Sequence, residues 1–235
     1  MSNELLWLLF AMVNFILIVG MYKLFGKTGL FAWIALGTII ANIQVTKTIM
    51  FELGDITIIA TLGNIMYGTL FLITDTLSEK YGHKMAKKAV YIGFYSLLAT
   101  VIIMQMAIAF NPLDEQDIFH IAIVNIFDVM PQIAGASLLA YIVSQLFDVF
   151  MFQKIRSKFP ADKYLWLRNN GSTMLSQLID TTLFVPLAFI GWQPWDIIGE
   201  IFITTYIIKV IVAMLDTPFV YLMKRITPLP LLNEE

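Results

Sequence analysis

Cysteine is absent from the 235 residues, which excludes disulfides, thiolate catalysis and Cys-based metal sites. Histidine is almost absent: His83 and His120 lie far apart in expected loops and argue against a His-based metal centre. Charge is scarce as well, at 14% of residues against ~25% in soluble chains, while hydrophobic residues reach 59% against roughly 45–50%. With a mean hydropathy of +0.79, that balance excludes an ordinary water-soluble domain. The chain lacks a Gly-x-x-x-x-Gly-Lys-Ser/Thr phosphate loop, so it does not hydrolyse ATP through that machinery. His-Glu-x-x-His and Gly-x-Ser-x-Gly are missing too, which removes the common intramembrane protease signatures. No cofactor and no metal is expected. Met1-Ser2-Asn3-Glu4 has no positive residue before the first apolar run, so that run is expected to be a retained span and not a cleaved signal peptide.

What is present is apolar sequence in blocks of about twenty residues, the length that crosses a ~30 Å hydrocarbon core at 1.5 Å per residue. The blocks are Leu5–Tyr22, Gly29–Met50, Ile56–Leu77, Ala89–Phe110, Ile133–Phe152, Thr173–Ile190 and Ile197–Met223. They predict an all-α polytopic membrane bundle with seven transmembrane helices and no second domain. Of the 15 Lys and Arg, 13 follow blocks one, three, five and seven, and the remaining two, Lys47 and Lys209, fall inside blocks. Positive-inside bias then gives an outside N-terminus and a cytoplasmic C-terminus in the cell (inner) membrane. The short cytoplasmic loops account for these basic residues, so no nucleic-acid partner is expected. Phe51–Asp55 reads as a tight Gly-containing turn or small hairpin, and Asn111–Met130 as an outer loop holding a short interfacial helix. The tail after Thr227 reads as loose, and Trp192 and Trp195 as interfacial belt residues.

Polar residues inside these blocks are the functional signal. Lys47, Asp75, Asp148, Asp180, Lys209 and Asp216 accompany Asn42, Gln44, Asn64, Gln105, Gln145 and Gln177. A charge at a helix centre costs about 2.5–3.5 kcal/mol; even discounted near helix ends, the six would total roughly 10 kcal/mol if unpaired. They must face one another or a wet cavity. Ser144-Gln145-Leu146-Phe147-Asp148 with Phe152 repeats as Ser176-Gln177-Leu178-Ile179-Asp180 with Phe184, at an offset of 32. Within each copy Ser, Gln and Asp share a helix face, and antiparallel neighbours could pair the two faces. Structural readings stand beside the functional ones: Asp75 and Glu79 could pair with Lys80 or Lys84, Asp148 with loop lysines, and Lys209 with Asp216 within the bundle. Asn42 and Asn64 could serve as interhelical hydrogen-bond glue, worth ~0.6–2 kcal/mol.

The chain resembles the queuosine precursor transporter family, also called a vitamin uptake transporter family. The resemblance rests on Thr74-Asp75 with Glu79-x-Tyr81-Gly82, Ser144-Gln145 with Asp148 and Phe152, and Arg168-Asn169-Asn170-Gly171-Ser172-Thr173. Ser176-Gln177 with Asp180-Thr181 and Phe184, then Lys209 with Asp216-Thr217-Pro218, complete it. It extends from about Asn42 to Arg225 and implies a six-helix core related to the S-components of ECF vitamin transporters. Residues 1–28 are then an additional N-terminal transmembrane helix, 29–225 the transporter core and 226–235 a cytoplasmic tail. The implied activity is import of a deazapurine base, a 7-deazaguanine such as 7-cyano-7-deazaguanine, for queuosine salvage, with no enzymatic step. Candidate substrate-binding residues are Asn42, Lys47, Asn64, Tyr67, Gln145, Asp148, Gln177, Asp180, Lys209 and Asp216; Asp75, Glu79, Arg168 and Asn170 are candidate gating or structural polar groups. They are expected to surround a hydrated pocket large enough for a flat heterocycle. Two alternatives are a substrate-binding subunit docking an ATP-driven ECF-type module through small residues such as Gly135, Ala136 and Ala140, and an intramembrane enzyme using Asp148 and Asp180 as an acid/base pair. Oligomeric state is left open.

Overall fold

A computed structural model of the chain describes residues 2–53, 56–114, 116–128, 130–191 and 193–229. The elements are α1 (Asn3–Val45), β1 (Thr48–Leu53), β2 (Ile56–Thr61), α2 (Gly63–Tyr81), α3 (His83–Ile108), α4 (Ile118–Phe127), α5 (Met130–Lys158), α6 (Leu165–Phe189) and α7 (Trp195–Arg225). A 3-10 turn, Asp162–Tyr164, precedes α6. This is an all-α membrane helix bundle: α1, α3, α5 and α7 are each long and apolar enough to cross a bilayer, and the more polar α2 and α6 pack among them.

The first two expected spans lie within α1, which bends back at Gly26 (φ 58°, ψ −142°), a conformation glycine adopts without a Cβ penalty. Beyond the bend Gly29 passes the Met21 carbonyl so closely that a Cβ would collide with it. The ends of the two limbs are fixed at opposite ends of the bundle. Asn3 Nδ2 donates to the Met50 carbonyl at 2.8 Å, and Trp7 meets Phe51 edge-on at 6.3 Å. At the other end Lys23 Nζ donates to the Thr227 carbonyl at 2.9 Å, and the Tyr22 and Tyr81 hydroxyls meet at 3.1 Å. These define a hairpin end and a basic end.

Every residue of α2 from Gly63 to Glu79 is buried, which makes α2 the axis of the bundle. In contrast, α3 buries only Ala86, Ala89, Val90, Gly93 and Leu97, a small-residue seam that allows close helix approach. Its Ile102, Ile103 and Met106 turn outward, as suits contact with lipid.

The structure corrects the second and third spans. The helix ends at Val45 and the next begins at Gly63; between them Thr48–Leu53 and Ile56–Thr61 pair antiparallel, Thr48 opposite Thr61. β-branched residues dominate β2, and β1 adds Thr48, Ile49 and the aromatic Phe51, a composition that fits a pleated surface better than a helix. Lys47 therefore stands exposed in the turn before β1 and not inside a span. Phe51 and Ala60 pack on Ile208 of α7, so the hairpin leans over the bundle interior. In the outer loop α4 forms as expected, capped by Asp117, whose carboxylate accepts from Phe119 N at 2.9 Å. The start of the tail is not loose: Leu229 N donates to the Lys23 carbonyl at 2.8 Å and Pro228 rests against Gly26. Gly54 and Asp55 of the expected turn, Glu115, Trp192 and residues 230–235 of the tail lie outside the described residues.

Candidate functional site

Asn64, Tyr67, Asp75 and Glu79 fall on one face of α2 and set three polar layers between the hairpin end and the basic end. At 1.5 Å rise per residue, Tyr67 and Asp75 are separated by about 12 Å and Asp75 and Glu79 by about 6 Å.

The layer nearest the hairpin joins all the central helices. The Tyr67 hydroxyl bridges Asn42 Nδ2 of α1 and Ser137 Oγ of α5. Asn42 also donates to the Thr38 carbonyl at 2.9 Å, and Asn64 Nδ2 to Thr205 Oγ1 of α7 at 3.4 Å. Lys209 of α7 forms a buried ion pair with Asp180 of α6, which also accepts from Ser144 Oγ at 3.1 Å. The Lys209 ammonium lies 6.0 Å from the centre of the Phe184 ring. Asn64, Tyr67, Ser137, Asp180, Phe184 and Lys209, with Val45 and Ala140, line a cavity of about 10 Å³. The cavity is on the scale of a single water and not of a flat heterocycle, with the ion pair and the tyrosine bridge drawing α1, α5, α6 and α7 together. The pair gives the cavity both a multiple donor, the ammonium, and a two-oxygen acceptor.

The middle layer is carboxylic. Thr173 Oγ1 lies 3.3 Å from Asp75 Oδ2 and 3.4 Å from Asp148 Oδ1, and Ser176 Oγ donates to Asp148 Oδ1 at 3.0 Å. Asn169 Nδ2 donates to Asp216 Oδ1 at 2.7 Å. Thr74 Oγ1 donates to Gln145 Oε1 at 3.3 Å, and both polar atoms of the buried Gln177 are without a partner. The two repeat copies are joined reciprocally: Ser144 of the first holds Asp180 of the second, and Ser176 of the second holds Asp148 of the first.

At the basic end Glu79 is an ionic hub. It accepts from Arg168 at 2.9 Å and Lys224 at 2.7 Å, with Arg156 at 3.8 Å. Arg168 is fully buried, and one of its nitrogens also donates to the carbonyls of Phe159, Pro160 and Ala161 at 2.9–3.1 Å. Lys224 reaches Asp162 at 2.5 Å. That hydrogen bond holds the exposed Asp162 carboxyl below the usual carboxylate range. For Lys224, partial burial works against the charge, but the bonds to Asp162 and Glu79 outweigh it and raise the pKa.

Several expectations need correction. Lys47 is exposed, and neither it nor Asn42 lines the cavity. Gln145, Asp148, Gln177 and Asp216 do not line the cavity. Glu79 takes Arg168 and not Lys80, whose ammonium donates to the Met223 and Ile226 carbonyls. Among the described residues Asp148 has no lysine partner, and Lys209 pairs with Asp180 and not with Asp216. Asn170 ties α6 to α7 through Thr217 Oγ1 at 2.7 Å. Sequence reasoning missed Ser137, Thr205, Asp162 and Lys224 as partners. Small hydroxyls in apolar helices resemble packing residues, and only the fold shows that Ser137 lies against Tyr67.

Residues 61–223 match the family described as "Putative vitamin uptake transporter". The chain is 47% identical over 228 residues to a Bacillus subtilis protein named "Probable queuosine precursor transporter", covering 97% of both chains. It is 27% identical over 160 residues to the Escherichia coli "Queuosine precursor transporter", covering 66% of this chain and 67% of that one. A Haemophilus influenzae "Probable queuosine precursor transporter" is 25% identical over 148 residues, covering 63% and 60% respectively. No solved structure matches the chain.

Proposed function

The chain belongs to the vitamin uptake transporter family, and on that footing we propose that it imports queuosine precursors, 7-deazaguanine bases, across the cell membrane by alternating access. The family is one of transporters and not of enzymes, and the chain is a multi-pass membrane protein. The observation that carries the reading is the buried Lys209–Asp180 pair facing one cavity with Asn64, Tyr67 and Phe184. A guanine-like edge presents N–H and NH₂ donors that Asp180 accepts in pairs, and its carbonyl takes a donor from Lys209 or Asn64. Phe184 offers a face for the flat ring.

In this reading the contracted cavity is the resting form. The incoming base separates Lys209 from Asp180, taking over the bonds each makes, and displaces the Tyr67 bridge. The β hairpin serves as the gate on one side, the Glu79–Arg168–Lys224 hub as the gate on the other. The basic loops set the hub side as cytoplasmic and the hairpin side as external. Residues 1–28, the limb of α1 ahead of the second span, act as a brace: Phe15 stacks on Phe219 of α7 at 4.7 Å. Of the small residues suggested for docking an ECF-type module, Ala136 and Ala140 are buried inside the bundle and Gly135 is exposed.

The test is a strain lacking queuosine synthesis, given limiting precursor with and without this chain, and scored for queuosine in tRNA. Restoration by the wild type, and its loss in Asp180→Asn and Lys209→Met at equal membrane abundance, is the expected result. Wild-type restoration by both variants removes the cavity from the pathway.

A further inference from the structure

The middle layer is not explained by binding a base in the cavity above it. Asp75, Asp148 and Asp216 come from three helices, each is fully buried, and among the described residues none forms an ion pair. Both nearby cations are committed elsewhere, Lys209 to Asp180 and Arg168 to Glu79. Each uncompensated buried ion costs several kcal/mol, so three bare carboxylates cannot persist there.

The hydrogen-bond inventory points the same way. Asp75 Oδ1, Asp148 Oδ2, Asp216 Oδ2 and Asn169 Oδ1 are buried acceptors without a donor. The single Thr173 hydroxyl proton is shared between two carboxylates, at 3.3 and 3.4 Å. Gln177 stands one turn after Thr173 on α6, and its buried side-chain amide has no partner among the described residues. Helical side chains lean back over the preceding turn, so its amide is aimed at this cluster. The amide nitrogens of Gln177 and Gln145 donate to no described group, and an amide brings no positive charge. What is missing is a cation. The acidic groups do not converge as a metal's ligands do, whereas a proton needs only one oxygen and a neighbour to share it.

We propose that Asp75, Asp148 and Asp216 form a proton-carrying site, distinct from the substrate cavity, that couples import to proton entry. The proposal rests on the transport reading above. A proton from the external side adds to one carboxylate oxygen and leaves the same oxygen toward the cytoplasmic side; no other bond forms or breaks. The groups facing the site set its charge from every packed element: Asp75 and, one turn on, Glu79 from α2; Asp148 from α5; Asn169, Thr173, Ser176 and the committed Arg168 from α6; Asp216 and the committed Lys209 from α7. Asp180 lies two turns of α6 beyond Thr173, about 10 Å away, close enough for the pair opened by substrate to change the field at the cluster.

The experiment uses the full chain in liposomes with a pH-reporting dye inside, an acidic exterior and a labelled 7-deazaguanine base outside. A gradient of one pH unit should accumulate the base up to about tenfold per coupled proton, with acidification of the lumen, and a protonophore should abolish the accumulation. This arm needs no variant. Asp148→Asn and Asp75→Asn should lose accumulation and acidification together. Uptake by the wild type that neither acidifies the lumen nor responds to the protonophore overturns the proposal and leaves import standing. If the wild type moves no base, the transport reading fails, and infrared spectroscopy of the purified chain decides the site. A protonated-carboxyl band that weakens in Asp148→Asn supports it; absence of such a band overturns it.

Discussion

Substituting Lys209 tests the cavity at its most costly contact. The Lys209 side chain is 2% exposed and that of Asp180 10% exposed, so neither charge can turn to solvent when the other is removed. Lys209→Met leaves Asp180 with one neutral donor, Ser144 Oγ at 3.1 Å. Breaking a buried pair from one side costs about 3–5 kcal/mol, whereas replacing both charges with neutral groups of similar volume is close to neutral. Lys209→Met and Asp180→Asn should each lose that much stability in detergent, and the double variant should lose less than about 1 kcal/mol. The cycle then gives a coupling of at least about 5 kcal/mol, read from reversible denaturation of the four proteins. All three variants should fail to take up precursor, since the donor, the acceptor or both are gone. Additive losses, or a double variant that regains uptake, would refute the claim that this pair is both a structural clasp and the recognition element.

Other expectations follow from the same geometry. Arg168→Ala should cost about 1–3 kcal/mol by leaving three carbonyls without their donor and Glu79 with Lys224 and Arg156 alone, and Arg168→Lys should not rescue it because an ammonium lacks the planar fork; limited proteolysis of the segment around 159–164 reads both. Gly68→Ala would place a Cβ 2.5 Å from Val212 Cγ1, so α2 and α7 must separate; overpacking of this kind costs about 1–3 kcal/mol, measurable as a lower denaturation midpoint. The Asp162 carboxyl is held low in the folded state by Lys224, so its contribution is present above the unfolded value near ~3.9 and is lost as pH falls through the lower folded one. Hydrogen exchange in the 159–164 segment should therefore rise only below about pH 4, and Asp162→Asn should flatten that response.

The spans were legible because lipid imposes long apolar runs, and the alternating basic loops fixed their number. Their ends were less so. Thr48–Phe51 and Ile56–Thr61 are short, largely apolar runs that adjoin the helical blocks, and such runs read equally as the end of a helix or as a strand. The repeat was visible as letters, and antiparallel neighbours made pairing of its faces foreseeable. Which carboxylate meets which cation was not. Nearness in sequence offers Glu79 Lys80 or Lys84, but its actual partner, Arg168, lies 89 residues away on α6, which packs against α5 and α7. Lys47 misled for the converse reason: a lysine inside an apolar block need not be inside a helix.

One motif used twice ends in two different electrostatic settings, and α7 makes the difference. The reciprocal serine bonds treat Asp148 and Asp180 alike. Yet Lys209 stands at the depth of Asp180, while Asp216, two turns further along α7, contributes acid to the layer that holds Asp148 and Asp75. The same change should therefore act oppositely at two aspartates. Asp180→Asn strands a buried ammonium and should destabilise by about 3–5 kcal/mol. Asp216→Asn removes one of three clustered acids and should be neutral or stabilising, since an amide still accepts from Asn169 and adds no charge. Denaturation midpoints of the two variants in one detergent give the answer. Equal losses at both positions would mean that the aspartates are interchangeable packing groups and that the residues of α7 do not separate a recognition layer from a carboxylic one.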